Sequence, residues 1–252
     1  MNTLIYTLSI GTLLTSLAAC VLACCHKKEH AAGLFLGSWL TALALFVVNG
    51  VAAQSLPFGN MRHVLCFFPL VLVPAAWYMQ KFRRLNLTAY FAAAAVLSMV
   101  GALCMPLQAA WRQMPALQSP WFAPHVTSYV VAYGFLAVSA ILAVASCCGK
   151  QRELHLRAAD EVVTLAFPFL TFGLWSGALW ADEAWARYWA WDIKEAWALI
   201  TWCVYLLYFH IRAYKAWAGW QRPLLILGFV AVLITFFVVN LLPSINSVHS
   251  YN

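Results

Sequence analysis

Apolar spans of membrane-crossing length recur along the whole chain and constrain its fold more than any other feature. A helix needs roughly 20 predominantly apolar residues to cross the hydrocarbon core of a bilayer. Eight spans of about this kind are separated by polar or basic segments, approximately Leu4 to Cys25, Gly33 to Ala53, Val64 to Met79, Ala89 to Leu107, Val126 to Cys148, Val163 to Leu179, Ala196 to Ala213 and Leu224 to Leu242. This pattern predicts an all-α, polytopic membrane helix bundle with about eight transmembrane helices.

The composition agrees with this class. Hydrophobic residues make up 64% of the 252 residues and charged residues only 9%, and the mean hydropathy is +0.79. No polar region is long enough to form a soluble domain, so residues 1–252 are interpreted as a single transmembrane domain. The net charge of +7 is then explained by membrane orientation. It does not indicate a nucleic-acid partner, because such proteins carry their basic residues on a soluble surface.

Lysine and arginine residues divide unequally between the two predicted sides of the membrane. One side holds eleven of them, and the other holds only Arg62, Arg112, Arg187 and Lys194. Basic residues concentrate in cytoplasmic loops, so both termini are predicted to be extracytoplasmic. The loop between the sixth and seventh spans then also faces outward.

That outer loop lies in the Trp-rich segment, Trp175 to Trp202, which holds seven of the thirteen Trp residues and four of the eight carboxylates. An aromatic belt would place Trp residues at both faces of the bilayer, whereas these gather at one. The cluster indicates a flat binding surface for a large, planar, partly charged ligand. A tetrapyrrole, a quinone headgroup or a lipid would each suit it.

Spacing within the segment suggests how such a surface is built. If residues 185–197 are helical, Trp185, Tyr188, Trp189 and Asp192 share one face. Basic side chains near this face, Arg187, Lys194 or Arg112, would then bind acidic groups of the ligand. We expect Asp192 and Glu195 to orient Lys194. The spacing Gly173-Leu-Trp-Ser-Gly177 predicts close approach of another helix to the sixth span.

Three histidines are candidate iron ligands. His125 opens the fifth span and His249 lies in the outer tail, so their imidazoles could bind a porphyrin iron from opposite faces. His210 lies inside the seventh span, where an ionisable group is rare and costly. For each of them, a hydrogen-bonded imidazole without a ligand is the alternative. His30 and His155 are placed in cytoplasmic loops as solvated side chains.

The stretch Phe167 to Trp197 resembles the tryptophan-rich WWD signature of the CcsA (ResC) cytochrome c biogenesis proteins, which belong to a wider haem-handling superfamily. Three other segments are similar to family landmarks and occur in the same order, so the resemblance spans nearly the whole chain: Ala116 to His125, Tyr208 to Arg212 and His249 to Tyr251. The signature usually has Gly where this chain has Ala186 and Pro where it has Ile193. Loss of that Pro is expected to let a loop helix continue into the seventh span.

The resemblance implies a binding site for haem b in an extracytoplasmic loop at about residues 175–197. It implies that His125 and His249 are the outer iron ligands and that His210 is a ligand of an intramembrane haem. The remaining implied contacts with haem come from Trp180, Trp185, Trp189, Trp191, Asp192, Trp197, Arg187 and Lys194.

The resemblance further implies that haem is delivered and joined covalently to a Cys-x-x-Cys-His segment of an apocytochrome c. This chain has no such segment, so the apocytochrome is the substrate, and the chain contributes haem positioning without a further catalytic residue. A CcsB (ResB) membrane protein is the implied partner, in the lipid of a bacterial inner membrane, with the loop facing the periplasm or cell exterior. A haem transporter or assembly regulator without ligation activity, and a bis-histidine cytochrome b, are the alternatives.

Overall fold

The chain is helical throughout the residues that the structure describes. The computed structural model describes residues 1–107, 115–147 and 151–238. Its α-helices are α1 (Asn2–Cys24), α2 (Lys28–Ala53), α3 (Met61–Phe82), α4 (Thr88–Cys104), α5 (Phe122–Ala145), α6 (Arg152–Trp185), α7 (Ile193–Ile211) and α8 (Gln221–Leu233). Short helical segments lie at Pro115–Gln118, Lys215–Trp220 and Ile234–Val238, and no strand occurs in these described ranges. The predicted all-α class is confirmed.

Within the described ranges, six helical segments are long and apolar enough to cross a membrane, namely Asn2–Cys24, Lys28–Ala53, Met61–Phe82, Phe122–Ala145, Arg152–Trp185 and Lys215–Phe237. α4 is also apolar but shorter, with 17 residues. These helices agree with an integral membrane protein. The count of eight spans and the extracytoplasmic position of both termini stay predictions.

The helices form two compact units, Met1–Gln118 and Ser119–Asn252. In the first unit, α1 packs against α2 and α4, while α3 packs against α4 and α2. Hydrogen bonds join these apolar helices: Thr12 Oγ1 donates to Thr41 Oγ1 at 2.9 Å, and Trp39 Nε1 donates to the Leu70 carbonyl at 3.1 Å. Such bonds satisfy polar groups that would be costly to bury unpaired.

The second unit is built on the long contact between α5 and α6, with α8 packed against α5 and α7. It contains the whole Trp-rich segment and His125, and it therefore carries most of the candidate site. The single domain predicted for residues 1–252 stays a prediction.

α6 is much longer than the predicted sixth span, Val163 to Leu179. Its 34 residues extend over about 50 Å at 1.5 Å per residue, whereas a hydrocarbon core is about 30 Å thick. α6 is therefore longer than a helix needs to be to cross a bilayer. The prediction that His30 and His155 lie in loops is wrong, because they lie in the first turns of α2 and α6. Polar residues are compatible with a helix wherever it extends past the hydrocarbon core.

Candidate functional site

The Trp-rich segment consists of the end of α6, a short loop and the start of α7. α6 ends at Trp185, residues 187–192 are not helical, and α7 begins at Ile193. Ala186 and Trp191 both have a φ angle of 55°, in the left-handed region. A right-handed helix cannot continue through such residues, so the chain turns sharply at both ends of the loop.

The prediction that residues 185–197 form one helix is therefore wrong. The four side chains expected on one helical face are divided among different elements. Trp185 belongs to the last turn of α6, Tyr188 and Trp189 lie in the loop, and Asp192 is the N-cap residue of α7. Any ligand surface here is formed by the loop and the two helix ends together.

Ala186 occupies a position that favours glycine. It follows the last residue of α6 in the left-handed conformation, with φ 55° and ψ 35°, and its backbone N–H donates to the Asp182 carbonyl at 2.8 Å. An L side chain in this conformation costs roughly 1–2 kcal/mol, a cost that glycine avoids. The Gly that the WWD signature usually has here therefore has a conformational reason, besides any contact with a ligand.

Asp192 and Glu195 form a capping box at the start of α7. Asp192 accepts a hydrogen bond from the backbone N–H of Lys194 at 3.4 Å, and Glu195 Oε2 accepts from the backbone N–H groups of Ala190 and Asp192 at 2.8 and 3.2 Å. Both carboxylates thus satisfy backbone donors that a helix N-terminus leaves unpaired.

The capping box also corrects the expectation drawn from Ile193. That residue is the first of α7, the position at which proline is favoured because its missing N–H would be unpaired there anyway. α7 starts at Ile193 without a proline, because Asp192 caps it. The loop helix does not run on into α7, so this expectation is wrong.

His125 lies in the first turn of α5 and is held by α6. Its Nδ1 atom is 2.9 Å from the carbonyl oxygen of Gly173. Its ring stacks on Trp180, with centroids 5.3 Å apart and an interplanar angle of 29°, and meets Tyr129 edge to face at 4.9 Å. A carbonyl only accepts hydrogen bonds, so Nδ1 carries the proton and Nε2 carries the lone pair. This is the tautomer in which Nε2 is the metal-binding atom.

Two glycines of α6 make room for this arrangement. A Cβ atom added at Gly177 would lie 2.6 Å from Cε1 and Nδ1 of His125, and one added at Gly173 would lie 3.1 Å from the Tyr129 ring. Contacts under 3 Å are strongly repulsive, so the His125 ring requires glycine at position 177. The predicted small-residue packing face is confirmed, and its partner helix is α5.

Trp180 covers one face of the His125 ring and is itself held by other aromatic side chains. It is only 3% exposed and packs against Phe122 and Trp185, with centroid distances of 5.3 and 4.9 Å. Trp185 is half-buried. The structure therefore brings His125, Trp180 and Trp185 into one contiguous aromatic cluster, which we call the His125 cluster.

Trp189 and Trp191 form a second aromatic pair in the loop. Their rings meet edge to face at 5.8 Å, and Trp191 is 73% exposed. The Nε1 atom of Trp189 is buried and has no hydrogen-bond partner among the described residues. This pair offers an accessible flat ring together with an N–H donor that the described protein leaves unused.

The charged side chains of the loop differ in exposure. Arg187 is exposed, and Lys194 is half-buried in the first turn of α7, before the predicted seventh span. Burial lowers the pKa of Lys194 to about 8, while the Asp192 carboxylate opposes this shift. Lys194 therefore remains mostly protonated at neutral pH. A hydrogen bond to the Asp182 carboxylate raises the pKa of the Tyr188 hydroxyl.

The other predicted site residues lie apart from the His125 cluster or outside the described ranges. Trp197 is half-buried within α7. His210 is exposed on α7, and its Nδ1 atom is 2.8 Å from the Leu206 carbonyl, so its Nε2 atom also carries the lone pair. Arg112 and His249 lie outside the residues that the structure describes. The haem contacts predicted for all these residues stay predictions.

A polar network near His210 was missed from the sequence. Arg212 Nη1 donates to Asp160 Oδ1 at 2.6 Å and to Thr164 Oγ1 at 2.9 Å, and the Tyr208 hydroxyl donates to the same Asp160 oxygen at 2.8 Å. Sequence spacing gave no signal for it, because α6 supplies the acceptors, whereas the donors come from α7 and from its C-cap residue Arg212. The network joins the two helices on which the Trp-rich segment begins and ends.

No group of three or more His, Cys, Asp or Glu side chains within the described ranges could hold a metal ion. A haem iron does not need such a group, because the porphyrin supplies four nitrogens and the protein one or two axial ligands. The lone pair of His125 Nε2, beside an aromatic cluster, suits an axial ligand of this kind.

Comparison with known proteins places these features in a family. The chain matches the profile described as Cytochrome C assembly protein over residues 32–246. Proteins named Cytochrome c biogenesis protein CcsA from Guillardia theta and Mesostigma viride are 31% and 29% identical, covering 95% and 87% of this chain and 93% and 84% of theirs. One from Chlamydomonas reinhardtii is 38% identical over 58% of this chain and 44% of its own. The chain belongs to the cytochrome c assembly protein family, within its CcsA group.

Proposed function

We propose that this protein acts in cytochrome c biogenesis by delivering haem b to apocytochrome c at the outer face of the membrane and promoting its covalent attachment. The observation that carries the proposal is the position of His125. Its tautomer is set by the Gly173 carbonyl, and its ring is supported by Trp180. Family membership supports the same role, since the CcsA relatives are named for cytochrome c biogenesis.

In this proposal the protein binds haem as a substrate through both loop and helix residues. His125 Nε2 and His249 supply the axial ligands from opposite faces of the ring. Trp191 and Trp189 provide flat apolar contact, and the buried Nε1–H of Trp189 can donate to a haem carboxylate. Arg187 and Lys194 place positive charge where the propionates would lie.

The reaction itself adds a thiol across a vinyl group. The sulfur of each Cys in the apocytochrome segment bonds to a vinyl carbon, its proton goes to the neighbouring carbon, and no electron leaves or enters. The contribution of this chain is positional, because holding the vinyl edge beside the thiols gives a high effective concentration. The incoming substrate histidine then replaces His125 or His249 on the iron.

We further propose that His210 belongs to a second, intramembrane haem site completed by a CcsB (ResB) partner. The His210 ring is exposed on α7 and its Nε2 lone pair is compatible with ligation. A neutral imidazole facing lipid is costly, which favours a partner at this face. The accompanying topology has eight spans, both termini outside, and the loop facing the periplasm or cell exterior across a bacterial inner membrane.

Coexpression in a host that lacks its own cytochrome c maturation pathway tests the proposal. This chain and a CcsB-type protein are expressed with an apocytochrome c, and covalent haem is detected by peroxidase staining of denaturing gels. We expect covalent cytochrome only when all three are present. Haem bound to the membrane protein without any covalent cytochrome would instead indicate a haem transporter or assembly regulator. Haem that never leaves the chain on addition of apocytochrome would indicate an electron-transfer cytochrome b.

A further inference from the structure

Arg62 is a buried cation at the start of α3, in the first unit. Its side chain is 3% exposed. Its Nη1 atom donates to the carbonyl oxygens of Ala102 and Met105, each at 2.9 Å, at the C-terminal end of α4. Its Cζ atom lies 4.9 Å from the centroid of the Tyr6 ring. These groups hold the guanidinium in place and stabilise positive charge, but none of them carries a full negative charge.

The other terminal nitrogen of the same guanidinium is unused. Arg62 Nη2 is buried and has no hydrogen-bond partner among the described residues. A buried donor without an acceptor is costly, and more so when it is charged. Arg62 also lies in the first turn of α3, where the helix dipole makes a lone cation unfavourable and an anion favourable. Both features point to an acceptor with negative charge.

The first unit cannot supply that charge itself. Its sequence, residues 1–118, contains a single carboxylate, Glu29. Glu29 is the second residue of α2, whereas Arg62 follows the other end of that helix. At 1.5 Å per residue the distance along α2 from Glu29 to Ala53 is about 36 Å. An ion pair between Glu29 and Arg62 is therefore excluded.

Most carboxylates of the second unit already accept hydrogen bonds from their own neighbours. This applies to Asp160, Asp182, Glu183, Asp192 and Glu195. The other two, Glu153 and Glu161, lie in the first three turns of α6, at its predicted cytoplasmic end. Among the residues that the structure describes, every side-chain carboxylate on the outer side, where Arg62 is predicted to lie, therefore already accepts a hydrogen bond.

We propose that Arg62 binds an oxyanion supplied from outside the chain, the phosphate of an outer-leaflet phospholipid headgroup. A guanidinium matches phosphate oxygens in geometry and charge, and a helix N-terminus favours the same anion. Headgroups lie at the level where membrane helices such as α3 end. This site is separate from the proposed haem attachment, although a haem carboxylate has the same oxyanion chemistry and is tested beside the lipid.

Thermal unfolding and native mass spectrometry of the full-length, delipidated chain in detergent test the site. Phosphatidylglycerol, diacylglycerol with the same acyl chains, and haem are added separately. We expect phosphatidylglycerol to raise the melting temperature of the wild type and diacylglycerol to have little effect, because ligands stabilise the folded state that binds them. Arg62→Met should bind phosphatidylglycerol about tenfold more weakly, consistent with loss of a charged hydrogen bond.

Arg83→Met is the matched control, since Arg83 is exposed at the opposite end of α3 and its replacement should leave lipid binding unchanged. If haem but not phosphatidylglycerol stabilises the wild type, and Arg62→Met loses this effect, Arg62 still binds an oxyanion, and that oxyanion is a haem carboxylate. Equal binding of phosphatidylglycerol by Arg62→Met and wild type would overturn the proposal. If Arg62→Met does not fold, the comparison of ligands on the wild type tests the proposal. Equal stabilisation of the wild type by phosphatidylglycerol and diacylglycerol, without any effect of haem, would also overturn the proposal.

Discussion

The Nδ1 atom of His125 lies 2.9 Å from the carbonyl oxygen of Gly173, so α6 determines which nitrogen of an α5 imidazole carries the proton. The ring is confined between Gly177 and Trp180 as well. Neither α5 nor α6 alone could set this orientation. The candidate ligand therefore depends on close packing of the two helices.

Gly177→Ala should displace the His125 ring. The added Cβ would lie 2.6 Å from two ring atoms, and overpacking of this kind typically costs 1–3 kcal/mol. We expect altered haem absorption and reduced cytochrome maturation. Gly173→Ala is the control, because its Cβ meets Tyr129 at 3.1 Å and its carbonyl remains. A Gly177→Ala spectrum identical to that of Gly173→Ala would contradict a specific effect on His125.

His125→Ala and His249→Ala should each change the haem spectrum and abolish maturation, because each removes a proposed axial ligand. Absorption spectra of the purified chain with its partner, and staining of covalent cytochrome, measure the two effects. His155→Ala, in the first turn of α6, should change neither. Normal maturation in both outer histidine variants would exclude the ligand assignment.

Ala186→Gly should stabilise the protein by about 0.5–1 kcal/mol, because glycine adopts the left-handed conformation without steric cost. The measurement is the free energy of unfolding or the melting temperature in detergent. Ala184→Gly, two residues earlier and in the last turn of α6, should instead destabilise by up to about 1 kcal/mol, since glycine is a weaker helix former than alanine. Equal effects of the two substitutions would argue against strain at Ala186.

Substitutions of Asp192 should separate capping from ligand binding. Asp192→Ala removes the side chain that caps α7 and should cost about 1 kcal/mol. Asp192→Asn keeps the cap, because asparagine is an equally good N-cap residue, but it removes the charge. Haem affinity measured by titration should fall for Asp192→Asn only if the carboxylate acts on the bound ligand or on Lys194.

In the polar network between α6 and α7, removing the acceptor Asp160 should lower the stability of the protein more than removing the donor hydroxyl of Tyr208. Asp160→Ala leaves the Tyr208 hydroxyl, on a residue only 1% exposed, without the acceptor it now has. Tyr208→Phe removes the hydroxyl itself. Because an unsatisfied buried donor costs more than a lost bond, Asp160→Ala should be the more destabilising change in thermal unfolding. The reverse order would show that the hydroxyl finds another acceptor.

Many residues of the candidate site could be predicted from the sequence, whereas their arrangement in space could not. The Gly173 and Gly177 spacing correctly predicted a close helix contact, because small residues four apart lie on one helical face. The same periodicity failed for residues 185–197. The spacing of apolar residues does not show that Ala186 adopts a left-handed conformation, which ends α6. It also does not show that Asp192 caps a new helix, which begins at Ile193.

The sequence by itself determined that this chain is a bundle of apolar helices and that seven of its thirteen Trp residues gather around the junction of the sixth and seventh of them, because hydropathy and composition are local properties. Only the tertiary structure decided that Trp180 is a buried support while Trp191 is exposed, since burial depends on which helices meet. It also decided the tautomer of His125 and the absence, among the described residues, of an acceptor for Arg62 Nη2. Both depend on atoms from residues far away in the chain, which packing brings within hydrogen-bond distance or leaves out of reach.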